Sequence, residues 1–168
     1  MRRRLLVIVL AACGPTLVPV VPSGESFGGA GAAPSVPSFE VVARTSAGAK
    51  DPLPVPGSNV VYGNLEPALM NAVLRNVKPR PSCTLTVELV SNEAEYAHSR
   101  LSVSLVARAT VRERNAFLAQ TTVVCRDSAM VAPEVGAPVV WSCMTRLGRD
   151  LGGWFEGLAA TTIAPSGP

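Results

Sequence analysis

Twelve consecutive residues, Leu101 to Arg112, switch sides at every step. Leu101, Val103, Leu105, Ala107, Ala109 and Val111 fall on one side, and Ser102, Ser104, Val106, Arg108, Thr110 and Arg112 on the other. A helix repeats every 3.6 residues and cannot produce this pattern; a half-buried strand must. Upstream, Leu85, Val87 and Leu89 alternate with Thr84, Thr86 and Glu88. Downstream, past a turn at Arg114-Asn115, Phe117, Ala119, Thr121, Val123 and Cys125 oppose Leu118, Gln120, Thr122, Val124 and Arg126. The expectation is an antiparallel meander of three to four strands, one face apolar and one largely polar.

An apolar sheet face needs a cover, and two segments change period to supply one. Leu65, Ala68, Leu69, Ala72, Val73 and Val77 line one face of a helix, with Asn64 as N-cap, Glu66 and Pro67 in its first turn, and Pro79 and Pro81 beyond it. Val140, Met144, Leu147, Leu151, Trp154 and Leu158 line a second, from about Pro138 to Ala159. Gly148, Gly152, Gly153 and Gly157 each cost that helix up to about 1 kcal/mol, so a fourth strand over Val139 to Thr145 followed by a shorter helix is the alternative. Short strands are expected at Phe39 to Arg44 and Val60 to Tyr62, and loops at Ser91 to His98 and Asp127 to Gly136. The fold class is α+β: one domain over 39–168, two helices laid on one face of the sheet.

The chain ahead of this domain has a different character. Arg2, Arg3 and Arg4 precede a short apolar run, Leu5 to Leu10, which Leu10-Ala11-Ala12-Cys13 closes. This resembles the lipobox of bacterial lipoprotein precursors. The resemblance implies that residues 1–12 are a signal peptide recognised through Leu10, Ala11 and Ala12. Cys13 then becomes the acylated (palmitate-type) first residue of the mature protein. Two rivals stand beside it: a transmembrane helix from Leu5 to Val21, interrupted by Gly14, Pro15 and Pro19, and an ordinary secretory signal cut near Ala30-Gly31-Ala32. Gly14 to Ser38 holds five Pro, five Gly and four Ser, a composition expected to remain a disordered tether spanning roughly 25–30 Å.

Charge and cysteine usage narrow the function classes. Lys and Arg number 15 against 12 Asp and Glu, and the excess of three is Arg2, Arg3 and Arg4. A mature chain starting at Cys13 is formally neutral and offers no basic surface for nucleic acid; 5% aromatic residues are too few for base stacking. Without a Cys-x-x-Cys pair, Cys83, Cys125 and Cys143 do not read as a metal site, and no cofactor is expected. In a meander Cys83 and Cys125 lie at opposite ends of the sheet. The pair placed for a disulfide is therefore Cys125–Cys143, in an oxidising compartment. His98, the single histidine, falls in a hairpin loop, and no Gly-x-Ser-x-Gly elbow or phosphate loop is present, so no enzyme is expected. Glu93 and Glu95 read as solvated loop residues rather than a catalytic carboxylate pair.

The order of lipobox, tether, helix, alternating strands and Trp-bearing final helix resembles the auxiliary lipoproteins of ABC-type lipid transport. The residues that carry it are Leu85 to Leu89, Ser99 to Ala107, Leu118 to Thr122, Leu147 and Trp154-Phe155. Val60 to Pro67 departs from the family pattern by lacking a tryptophan. The resemblance implies a non-catalytic adaptor of an envelope lipid-transport or outer-membrane assembly system. It is held by its lipid anchor, with Gly14 rather than Asp after the cysteine favouring the outer membrane, facing the periplasm. The expected contacts with a protein partner are the open edge of the meander, Trp154 and Phe155. The alternatives are a lipid carrier, with Met70, Leu74 and Met144 lining a cleft between helices and sheet, and a secreted protein of unknown activity.

Overall fold

The computed structural model describes residues 14–20 and 39–161, the last three by backbone alone. Seven strands and two helices follow in the order β1 (Thr16–Pro19), β2 (Glu40–Thr45), β3 (Leu53–Pro54), β4 (Val60–Gly63), α1 (Leu65–Leu74), β5 (Cys83–Ala97), β6 (Arg100–Glu113), β7 (Ala116–Ala129) and α2 (Ala137–Thr161), with a 3-10 turn at Pro133–Val135. The alternating runs form the antiparallel meander β5-β6-β7, and β2 joins it in parallel beside β5, giving the order β2-β5-β6-β7. A second sheet has the order β1-β4-β3. The architecture is a single α+β domain.

The meander is held by two hairpins whose central residues all have positive φ: His98 and Ser99 (51° and 61°), and Arg114 and Asn115 (49° and 69°). Left-handed pairs of this kind match the twist of the flanking strands. A bulge at Val90, between Leu89 and Ser91, splits β5. Below it Leu85, Val87 and Leu89 face the core; above it the parity flips, and Asn92 and Ala94 take the buried face. The segment read as a loop from Ser91 is therefore strand as far as Ala97. Likewise β7 runs on to Ala129, where a loop was expected from Asp127.

Both helices cover the apolar face. On α1 the expected residues Leu65, Ala68, Leu69, Ala72 and Val73 are buried. Asn64 occupies the N-cap position with φ 63° and makes no side-chain cap; Asp51 Oδ2 instead accepts from the Leu65 and Glu66 amides at 3.1 and 3.4 Å. Residues 139–145 are helical, part of the 25-residue α2. The glycines that weakened that reading have a packing reason: a Cβ at Gly148 or Gly152 would overlap the Ala72 or Asn76 carbonyl of the α1 segment. These two positions let the helices approach backbone to backbone.

Two further expectations fail. Thr16–Pro19, assigned to the tether, pair in parallel with β4, Thr16 N donating to Asn59 O at 2.6 Å and Val20 buried beyond them. The apolar run Leu17-Val18-Pro19-Val20 gains from burial what a Gly/Ser-rich segment cannot. The rest of the tether, 21–38, lies outside the described residues. The apolar stripe of α2 runs through Val140, Met144, Leu147, Leu151 and then Phe155, not Trp154. The buried face of α2 widens on the side where Gly148 and Gly152 meet the α1 segment, and Phe155, seven and three residues beyond them, lies on that side while Trp154 lies on the other.

Candidate functional site

The upper half of the meander, beyond the bulge, carries a groove of ≈ 620 Å³. Its lining comes from Asn92 to Glu95 on β5, Ser102 to Ser104 on β6, Arg126 to Ser128 on β7, and an arm containing Lys50, Leu53, Pro54 and Pro56. Strand register sets its polar side chains in rows. Glu93, Ser104 and Arg126 face one another across three strands, and Glu95, Ser102 and Ser128 form the next row. Arg100 Nη1 donates to Ser128 Oγ at 3.0 Å.

The arm is fixed by Asn92, the buried polar residue of the core at 4% exposure. Its Oδ1 accepts from Lys50 N at 2.8 Å and its Nδ2 donates to Lys50 O at 2.6 Å, as a neighbouring strand would. Ser46 N donates to Leu89 O and Ser46 Oγ to Val90 O, so 46–50 prolongs the edge where β2 stops. On the core side Tyr62 is fully buried, and its hydroxyl donates to Pro133 O at 2.7 Å. Burial and the nearby Glu134 charge push its phenol up to about 12.

Charges on the outer sheet face behave differently in its two halves. Below the bulge Glu88 lies 3.6 Å from Arg44 and 3.9 Å from Arg108. Above it, Glu93, Glu95 and Arg126, and Lys50 of the arm, make no ion pair among the described residues. Asp127 turns to the helix side and binds Arg146 of α2. Burial alone would raise its carboxyl, but hydrogen bonds from Arg146, Ser142 and Ser128 and the Arg146 charge hold it below the usual value.

Beside the groove runs the outer edge of β7, fourteen residues with no strand paired to its far side among the described residues. Ala116 to Val124 contains no charge and no proline. Phe117 and Val124 are 64% and 52% exposed, and Leu118 and Met130 are also exposed. Groove and edge share Arg126, Asp127 and Ser128 and so form one continuous surface.

Of the residues singled out in the sequence, Cys13, Leu10, Ala11 and Ala12 lie outside the described residues. Cys125 and Cys143 are disulfide-bonded, with Cα atoms 5.6 Å apart, tying β7 to α2. Cys83 is a free, buried thiol, pushed up by burial and therefore a poor nucleophile. Phe155 is not a surface contact: it is 2% exposed and packs on Phe39 at 5.8 Å between ring centres. Trp154 is half-buried against the core. Met144 is fully buried, Met70 half-buried and Leu74 exposed, so the three do not line a common cleft. Glu93 and Glu95 belong to a strand and line the groove with Asn92, Arg126 and the serines, which sequence reasoning did not single out. The signal was there: alternation resumes after Val90 with its phase shifted by one.

No family model matches the chain, and no curated protein matches it. Among solved structures it is similar to protein XCC0632 from Xanthomonas campestris, assigned to family DUF330, with TM-score 0.58 and 15% identity over 77% of this chain and 91% of that one. It is also similar to the hypothetical protein CT253 from Chlamydia trachomatis, with TM-score 0.51 and 13% identity over 73% of this chain and 95% of that one. At these identities the likeness is one of fold.

Proposed function

We propose that the protein is a non-catalytic adaptor of the bacterial envelope, held by acylated Cys13 at the outer membrane, that docks on a lipid-transport or assembly complex through β7. The observation that carries this reading is the uncharged edge Ala116 to Val124 with its exposed apolar side chains. Soluble proteins ordinarily blunt such an edge with lysine, proline, a bulge or a covering element, because its free N–H and C=O groups template another strand; this edge has one bulge, at Leu118, and Ala119 to Val124 beyond it run in regular register with neither charge nor proline. An extended segment of a partner protein, adding its backbone to β7, satisfies those groups and covers Val124. The lipobox resemblance supports the anchor, and the disulfide fits an oxidising compartment.

The anchor reading also gains a geometric consequence. Only Gly14 and Pro15 stand between Cys13 and β1 in the sequence. The domain then sits against the leaflet rather than on a long leash. A photo-crosslinking residue at Val124, in cells, tests the docking. Capture of an envelope transport or assembly subunit, with none from the same probe at Arg44 on the opposite edge, is the expected result. Equal capture at both positions, or none at Val124, overturns the reading.

A further inference from the structure

We infer that the groove above the bulge binds a zwitterionic ligand bearing a primary ammonium and a phosphate, the phosphoethanolamine class. Opposite charges are held apart here instead of neutralising each other. Glu93 and Glu95 stand on β5 and Arg126 on β7, two strand spacings away, about 9–10 Å between backbones. Ser104 and Ser102 stand between them in the same two rows, while Ala94, Val103 and Asp127, which also line the groove, alternate to the other side of the sheet. One half-sheet lower, the same face brings Glu88 to both Arg44 and Arg108, so the fold has the means to pair such groups and leaves this set open. Lys50 lines the groove as well and pairs with neither carboxylate.

A ligand of one sign would meet its own charge in this groove. A zwitterion lying along the rows meets carboxylates at its ammonium end and a guanidinium at its anionic end. The anionic end is better filled by phosphate than by carboxylate. Arg126 offers a planar donor fork, and serine hydroxyls, Ser128 backed by Arg100, can serve further acceptor oxygens. The volume, ≈ 620 Å³, falls in the range of small-molecule sites. Pro56 on the rim leads into the turn whose Asn59 carbonyl receives the Thr16 amide. On the anchored reading proposed above, on which the lipid source but not the site itself rests, the groove opens close to a leaflet.

Titration of the full mature protein with glycerophosphoethanolamine, followed by NMR shifts, tests this. Glycerophosphoglycerol lacks the ammonium and ethanolamine lacks the phosphate; each is expected to bind at least about five-fold more weakly, one charged contact being worth that much or more. The double variant Glu93→Gln, Glu95→Gln should erase the preference for the ammonium, and Arg126→Gln should weaken both phosphate ligands, with unchanged melting curves. No binding, equal binding of all three, or variants that bind as the parent does, overturns the proposal. Vesicles of phosphatidylethanolamine with phosphatidylglycerol, against phosphatidylglycerol alone, separate the sources. Extra sedimentation that the double variant loses identifies a lipid headgroup; free-ligand binding without it identifies a soluble phosphoethanolamine compound. Cys13→Ser removes the anchor and leaves free-ligand binding intact, so the two readings fail separately.

Discussion

The two edges of the four-stranded sheet are built in opposite ways. β2 is six residues long, carries Glu40 and Arg44, ties Arg44 to Glu88, and is covered by α1 and by the Phe39–Phe155 contact just ahead of it. β7 is fourteen residues long, its first nine residues uncharged and its exposed side chains partly apolar. Neither outer side has a strand paired to it among the described residues, and each strand is packed by a helix, but only β7 offers a long uncharged edge. On the adaptor reading proposed above, the long uncharged edge is the one that takes a partner strand.

Removing the support beneath the short edge should cost most. Phe155→Ala removes the buried ring beneath Phe39 and should destabilise the domain by about 3–4 kcal/mol in chemical denaturation, the usual cost of emptying an aromatic core site. A loss under 1 kcal/mol would mean that this edge is not held from below. Replacing Cys125 and Cys143 by alanine opens a loop closed across 18 positions and should lower stability by about 3 kcal/mol, releasing β7 from α2 without touching β2.

A smaller effect is expected from the ion pair at the top of β7. The Asp127 carboxyl is held below its unfolded value, so its contribution is complete above that value and is lost as pH falls through the folded one. With Arg146 nearly half exposed, Asp127→Asn should cost less than about 1 kcal/mol at pH 7 and flatten the acid limb of stability below about pH 4. Smallest of all in stability is Val124→Lys, a charge added to the open edge: within about 0.5 kcal/mol of the parent by melting, yet with envelope partner capture abolished. A variant that is stable and still captures its partner would dissolve the contrast between the edges.

Much of the scaffold was legible because period is a one-dimensional signal. The alternation from Leu101 to Arg112, the Arg114-Asn115 turn and the α1 stripe through Leu65, Leu69 and Val73 need only near neighbours to be read. What escaped depends on residues distant in sequence. Pairing of Thr16–Pro19 with Val60–Gly63 spans more than forty residues, and the Asp51 cap on α1 arrives from a separate loop. Gly148 and Gly152 look like helix breakers until Ala72 and Asn76 lie against them. The groove was missed for a local reason, since the bulge at Val90 breaks the rhythm and Ser91 to His98 then resembles a loop. Glu93 and Arg126 fall in one row only once three strands are in register.

Hydrogen exchange on β7, compared between the purified protein and the same protein in native envelope membranes, addresses the adaptor reading most directly. The outward amides between Ala116 and Val124 should exchange quickly in isolation and become protected in the envelope, while those of β2 stay as they were. Identical exchange along β7 in both settings would contradict it.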